Sequence, residues 1–426
     1  MAVDPGAGPQ EQAAALTRCV SAAPAVFARD YWGERPLFSP AGSLPSDFSD
    51  LFSPAAADEL LTERALRTPF VRLARDGDVL AAERFTGPGG FGAQIADQVD
   101  SAKVVREFAD GATIVLQGLH RSWPPLRAFT RRLAAELGHP AQVNAYITPE
   151  SARGFDPHYD VHDVFVLQVS GEKHWRVHAP VHSHPRPDEP WQRRRAAVAA
   201  RAGEDPVLDV VLRPGDALYL PSGWLHAAVA TAGTSIHLTV GVAAVTGADV
   251  VRELVAELDR RPELRAPLPI LGGEAGPEVL ERAVREVIEA FAGAVDALRD
   301  GDGDGVADDG ATRTAAAVRR FVQRMSRPEP VAPLATLAAA ADLSPKSIVR
   351  LPEGVSVSVE VGDEGVQLDA DGQSLRLPAV CDLAIRALAG GERVWAGALP
   401  GLDEADSLVV ARRLLRSGLL VIEPGD

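Results

Sequence analysis

Hydrophobic positions change their spacing near Ala141 and again after Val242. Between those points short apolar runs, several alternating with period two, are separated by turn residues, the pattern of β-strands. Val164 to Val169 is apolar on both faces except for Gln168, as an interior strand would be. Ser170-Gly171-Glu172 predicts a turn and Lys173 to Val177 a returning strand, a hairpin with Lys173, Trp175 and Val177 on one face. Many short strands with Gly and Pro turns predict a double-sheet jelly roll, so the fold class is mostly β with α. Ahead of it, residues 1–15 are rich in Ala, Gly, Pro and Gln, and fraying is expected over 1–25. Val26 to Pro40 sets aromatic residues beside a proline, which predicts a segment anchored on a core, and 55–135 mixes short helices and strands.

Beyond Val242 the period becomes helical. Val250, Val251, Leu254, Val255 and Leu258 make one stripe, and Val279, Leu280, Ala283, Val284, Val287, Ile288, Phe291 and Val295 a longer one. Such stripes need a second surface; packing on the barrel and pairing with a second chain both qualify, and a homodimer is favoured. Asp300 to Gly310 opens like a calcium loop, but Ala311 stands where the bidentate Glu belongs, so an acidic linker is expected. From Ile348, alternation at Val355, Val357, Val359 and Val361 leads to an Asp371-Gly372 turn, helices near 378–389 and 403–417, and a closing strand to Ile422. Helices followed by a short strand predict a winged-helix-like module. The division is therefore 1–25 flexible, 26–245 barrel, 246–330 helical with the linker at 300–310, and 345–426 winged-helix-like.

Composition narrows the function. The chain has 426 residues and a net charge of −16, which argues against binding nucleic acid through phosphates and serves either solubility alone or the attraction of a basic protein or peptide. Residues 376–426 carry six Arg against seven Asp or Glu, so Arg412, Arg413 and Arg416 suit protein packing better than a DNA-reading helix. Cys19 and Cys381 lie too far apart in sequence for a thiolate metal motif, and a reducing cytoplasm is expected. No signal peptide and no run of 18 apolar residues is found, so no membrane association is expected.

The chemistry concentrates in His158-Tyr159-Asp160 and in His226, 66 residues beyond Asp160. Two imidazoles and one carboxylate form the facial set that holds non-haem Fe(II) and leaves positions open for O2 and a cosubstrate. In a strand His158 and Asp160 share a face while Tyr159 points away. A His–Asp hydrogen bond at a sheet rim and a core histidine are the structural alternatives. Lys173 in a barrel interior would need an anionic partner, which a dicarboxylate would supply; on the outer face it would be solvated. Asn144 and Tyr146 alternate on an earlier strand, either as pocket wall or as ordinary polar residues at a strand end. His178, His182 and His184, interleaved with prolines, read as a surface loop, and Trp175 and Trp224 as core or rim aromatics.

The run PHYDVHDVFVLQVSGEKHWRVHAP, with RPGDALYLPSGWLHAA and SIHLTVGV, resembles the Jumonji-C oxygenases of the cupin superfamily, closest to their ribosomal oxygenase branch. FARDYWGERPLFSP is similar to that branch's N-terminal signature, and LPGLDEADSLVVARRLLRSGLLV to its C-terminal winged helix. The resemblance implies a catalytic domain over 26–245 with His158, Asp160 and His226 as iron ligands. It implies Lys173 against the distal carboxylate of 2-oxoglutarate, and Asn144 and Tyr146 near the cosubstrate. It further implies a dimer through the helical middle and hydroxylation of a ribosomal protein side chain, with lysine at position 173 more like the histidine-modifying group. Removal of methyl groups from N-methyl lysine, hydroxylation of a small molecule or peptide natural product, and a metal-free binding role are the alternatives.

Overall fold

The computed structural model describes residues 14–92, 94–153, 155–258, 262–269, 276–300, 315, 317–319, 321–322, 325, 328–355, 357–362, 365–370 and 373–423. The chain divides into two compact units, Met1–Ala244 and Val245–Asp426.

In the first unit one antiparallel sheet does most of the work. Its strands are β1 (Leu37–Ser39), β2 (Val71–Arg75), β3 (Asp78–Val79), β6 (Thr113–Leu116), β7 (Ala141–Thr148), β8 (Asp163–His178), β9 (Leu208–Leu212), β10 (Ala217–Leu220) and β11 (Leu225–Val242); β4 (Thr86–Gly87) and β5 (Gln98–Val99) form a separate pair. The order is β1-β10-β8-β11-β7-β6-β2-β3, with β9 on the far half of β8. Two strands are long enough to belong to both walls of a barrel. The first half of β8 lies between β10 and the end of β11, and its second half between β9 and the start of β11. This is the jelly roll expected from the strand pattern.

The expected hairpin at Ser170-Gly171-Glu172 is corrected: β8 runs straight through those residues. Gly171 does adopt a left-handed conformation, φ 62°, but it bends one continuous strand between the two walls. Register shifts in β11 at Ala230/Ala232 and Ala232/Ile236 take up the bend on the partner side. A Cβ at Gly171 would lie 2.4 Å from the Thr234 carbonyl oxygen, so only glycine permits this close crossing. Lys173, Trp175 and Val177 nonetheless share a face, because period two continues beyond the bend.

Alternation then sorts side chains between barrel and core. Ile236, Leu238 and Val240 on β11, with Val143, Ala145 and Ile147 on β7, pack into the main hydrophobic core. Their neighbours His237, Thr239 and Tyr146 face the barrel interior. The anchoring segment is where the aromatic residues put it. Phe27 is buried against Phe165 and Tyr219, with ring centroids at 5.9 and 4.9 Å. The expected frayed segment 1–25 is corrected for its described part. Ala15, Leu16, Cys19 and Val20 are buried in the main core, and Glu136 accepts the Ala15 and Leu16 amides at 2.8 Å. Those bonds tie the turn to helix Pro124–Leu137, which composition alone does not reveal.

In the second unit the two helical stripes become Gly247–Leu258 and Gly276–Asp300. Leu254, Leu258, Phe291 and Val295 pack together, whereas Val251, Val284, Val287 and Ile288 are exposed. A second core gathers helices Pro333–Ala341, Asp382–Ala389 and Glu404–Arg416 with the sheet in which Ile348–Arg350 lies between Val394–Trp395 and Val421–Ile422. A three-stranded meander, Val357–Gly362, Gly365–Ala370 and Gln373–Leu377, adds to it. Arg412 donates through Nε to the Ala340 carbonyl at 3.0 Å, so that arginine is spent on packing. The Asp371-Gly372 turn and residues 301–310 of the acidic linker lie outside the described residues. Among the described residues no helix is long and apolar enough to cross a membrane.

Candidate active site

The loop ahead of β8 and the start of β11 meet at one end of the barrel. His158 and His226 form an isolated antiparallel bridge, His158 N–H donating to the His226 carbonyl at 3.2 Å and His226 N–H to the His158 carbonyl at 2.8 Å. Gly223 N–H donates to the Asp160 carbonyl at 2.9 Å. The expectation of a regular strand through His158 and Asp160 is corrected, since only His158 is bridged. Pro157 has no N–H to pair, and β11 begins only at Leu225. Period two survives without the strand. Tyr159 turns away into a separate cluster with Val198 and Leu225, its hydroxyl donating to the Glu189 carbonyl at 2.9 Å.

The three side chains on the near side converge. One donor atom from each of His158, Asp160 and His226 lies within 4.8 Å of the others, close enough to share an ion. His226 Nε2 stands 3.8 Å from Asp160 Oδ2, and the imidazole centroids are 4.5 Å apart. Each imidazole turns Nδ1 to a main-chain carbonyl, His158 to Asp156 at 2.7 Å and His226 to Trp224 at 3.1 Å. A carbonyl can only accept, so Nδ1 carries the proton and Nε2 is left as a bare donor pair facing the cavity. Burial, reinforced by His158, pushes the His226 pKa down to about 4, so that ring is neutral across the physiological range. Burial alone would raise the Asp160 carboxyl, but the surrounding imidazoles of His158, His226 and His162 favour its ionised form and hold it below its ordinary value. A neutral His226 and an ionised Asp160 are the protonation states that metal binding requires.

The cavity continues past Trp175 to Lys173. Lys173 is 4% exposed and donates to Thr148 Oγ1 at 3.1 Å, and Thr113 Oγ1 donates to the same oxygen at 3.2 Å. No carboxylate lies within ion-pair distance of Lys173 among the described residues, and burial pushes its pKa down to about 7. Trp175 Nε1 and His237 Nδ1 are likewise buried without a hydrogen-bond partner. An unpaired ammonium and two orphaned ring nitrogens around one cavity suit a small anionic, hydrogen-bonding molecule.

Tyr146 lines the cavity, stacked on His237 with centroids 5.0 Å apart, its pKa pushed up to about 12 by burial. Asn144 shares its strand face but is not among the lining residues; its Oδ1 accepts the Gly118 amide at 2.9 Å. Trp175, expected as a core or rim aromatic, lines the cavity. His178 is buried at the end of β8, a correction to the expected surface loop. His182 faces Glu189 at 3.2 Å. Thr113, Thr148 and His237 were not singled out from the sequence. A signal existed: Ser235, His237 and Thr239 alternate with Ile236, Leu238 and Val240, a polar face inside an apolar strand.

A pH dependence follows for a dicarboxylate held by Lys173. The ammonium form binds it, and above a pKa of about 7 the free amine must first take up a proton. Affinity is therefore expected to fall as pH rises through and beyond that value, by up to ~10-fold per pH unit. Titration calorimetry of 2-oxoglutarate with Mn(II) present, in two buffers of different ionisation enthalpy, should show net proton uptake on the alkaline side. Equal heats in both buffers would contradict this.

Residues 125–250 match the family model described as the JmjC domain. That stretch is similar to the JmjC domain. The Jumonji-C resemblance read from the sequence is borne out, and the relatives bear the branch's names. "Ribosomal oxygenase 1" of Gallus gallus is 33% identical over 238 residues, which covers 51% of this chain and 35% of that protein. "Bifunctional lysine-specific demethylase and histidyl-hydroxylase NO66" of Drosophila persimilis is 30% identical over 221 residues, covering 51% of this chain and 29% of that one. The chain thus spans about a third of the length of these curated relatives. Among solved structures, the Escherichia coli ribosomal oxygenase YcfD has the same fold, with a TM-score of 0.51 at 19% identity over 95% of this chain and 99% of that one. A structure of YcfD in complex with cobalt and succinic acid gives 0.52 at 19% identity, over 93% and 97%.

Proposed function

We propose that this JmjC-domain chain is an Fe(II)- and 2-oxoglutarate-dependent dioxygenase that hydroxylates a protein side chain, a histidine of a ribosomal protein in first place. The observation that carries the reading is one cavity with two chemically distinct ends. His158, Asp160 and His226 offer two nitrogens and an oxygen on one side, and the buried, unpaired Lys173 waits with Thr148 farther in. The donor set has no thiolate and suits a divalent first-row ion that keeps positions open on its other side. The solved relative is in complex with cobalt and succinic acid, a metal and a dicarboxylate, which supports such a pairing here.

When bound, ferrous ion and 2-oxoglutarate supply with O2 the oxidising power to hydroxylate a C–H bond. What the chain contributes is placement. The carbonyls of Asp156 and Trp224 fix both imidazoles by their Nδ1 protons. Lys173 and Thr148 would hold the distal carboxylate, with Tyr146 of β7 in the same cavity wall and Asn144 of that strand bonded to the Gly118 amide instead. Val164, Val166 and Trp175 give the cavity apolar lining, which would strengthen an ion pair formed inside it. The exposed stripe of Val284, Val287 and Ile288 supports a homodimer through helix Gly276–Asp300. A basic ribosomal protein suits the net charge of −16.

Intact-mass comparison of ribosomal proteins from cells with and without the gene tests the substrate. One protein heavier by a single oxygen atom only when the gene is present is expected; identical masses throughout would remove the ribosomal reading. The curated name of the fly relative favours N-methyl-lysine demethylation as a second reading. Release of formaldehyde from methylated peptides would support it.

A further inference from the structure

Three residues after Asp160, at the first position of β8, a second carboxylate is 2% exposed and is not among the residues that line the cavity. Asp163 Oδ1 accepts the Ser222 amide at 2.7 Å, and Oδ2 accepts the Tyr219 hydroxyl at 2.8 Å. That hydroxyl in turn accepts the Gly33 amide at 2.8 Å, from the aromatic segment near the N-terminus. Ser222 and Gly223 form the loop that delivers His226, and Gly223 N–H is already bound to the Asp160 carbonyl. The carboxylate therefore closes a ring of hydrogen bonds between the segment bearing His158 and Asp160 and the segment bearing His226.

We propose that Asp163 is a positioning residue: its carboxylate sets the separation of the two segments so that the three donor atoms meet before any ion arrives. The inference rests on reading His158, Asp160 and His226 as metal ligands. Two hydrogen bonds to one buried carboxylate fix both its position and that of Ser222, four residues before His226. Charge-assisted bonds of this kind are short and directional, so they transmit placement as well as stability. Main-chain bonds join these segments at two places, the His158–His226 bridge and Gly223 N–H to the Asp160 carbonyl. Asp163 supplies a third tie, made through a side chain, and three points fix an orientation where two leave an axis of rotation. Strand pairing of Asp163 with Val242 and of Val164 with Leu220 anchors the carboxylate on regular structure.

Asp163→Asn preserves shape but must present its amide NH2 to either Ser222 N–H or the Tyr219 hydroxyl, and its neutral oxygen accepts more weakly. Co(II) is the probe, titrated by calorimetry and by its visible ligand-field spectrum, with thermal melting of the metal-free protein alongside. The wild type is expected to bind one Co(II) per chain. D163N is expected to bind it at least ~10-fold more weakly, with an altered spectrum, beyond any loss of thermal stability. Tyr219→Phe, which keeps the Ser222 bond, should lose less affinity than D163N and keep the wild-type spectrum. Co(II) affinity and spectrum unchanged in a folded D163N would overturn the positioning role while leaving the ligand assignment intact. Failure of the wild type to bind Co(II) would overturn the ligand assignment itself and this role with it. Hydrogen exchange of the metal-free wild type decides the matter even if D163N does not fold. The Ser222 amide is expected to be protected like those of β10, and exchange at the rate of an exposed loop would overturn the proposal.

Discussion

His158→Ala is expected to lose ferrous-ion affinity by at least ~100-fold and to form no succinate at any accessible iron concentration. Partners that merely orient a ligand cost roughly 10–100-fold when removed, so deleting one of three ligands costs more than that. The fold should survive. His158 is bridged to His226 through main-chain atoms, which alanine retains, and its side chain is only half-buried in an irregular segment. Circular dichroism unchanged from the wild type, together with absent Mn(II) binding and absent succinate, is the expected combination. Turnover persisting in H158A would mean that the ion sits elsewhere.

Lys173→Met is expected to act in the opposite sense on stability and on binding. Truncating one partner of a desolvated charge pair costs roughly 2–5 kcal/mol, so affinity for 2-oxoglutarate should fall by ~30-fold or more. Binding of the metal alone should be unchanged, because Lys173 belongs to the other end of the cavity. Without cosubstrate the substitution should stabilise the protein, since it removes a buried ammonium that has no counter-charge. The sign follows from linkage: the pKa of Lys173 lies at about 7 in the folded chain against 10.5 ordinarily. The unfolded chain binds the extra proton between those values, so the penalty grows as pH falls towards 7 and is fully present below it. Thermal melting of K173M and wild type near neutral and at alkaline pH checks this. A stabilisation that shrinks at alkaline pH is expected; a destabilised K173M at every pH would show that the ammonium is satisfied.

The two ends of the site were legible to different degrees, for physical reasons. His158, Asp160 and His226 stand out because few other chemistries need that combination of residue types, and Lys173 because an ammonium is rare among inward-facing strand positions. The bend at Gly171 was misread because a turn and a bulge call on the same left-handed glycine. Only the partner strand, with its register shifts around Ala232, distinguishes them. Thr148 continued the alternation of Asn144 and Tyr146 and was available to the same argument. Asn144 shows the limit of that alternation: it faces the right way, yet the Gly118 amide takes up its side-chain oxygen. Asp163 carries no local signal in the sequence. Its role depends on Ser222 and Tyr219, nearly sixty residues distant, which no local pattern connects.

The most direct test is anaerobic titration of the purified chain with Fe(II) and 2-oxoglutarate, followed by visible absorbance. Chelation of iron by the 2-oxo acid inside the cavity predicts a single charge-transfer band that saturates at one iron per chain, is lost in H158A, and needs far more 2-oxoglutarate in K173M. A folded wild-type chain that develops no such band would contradict the account.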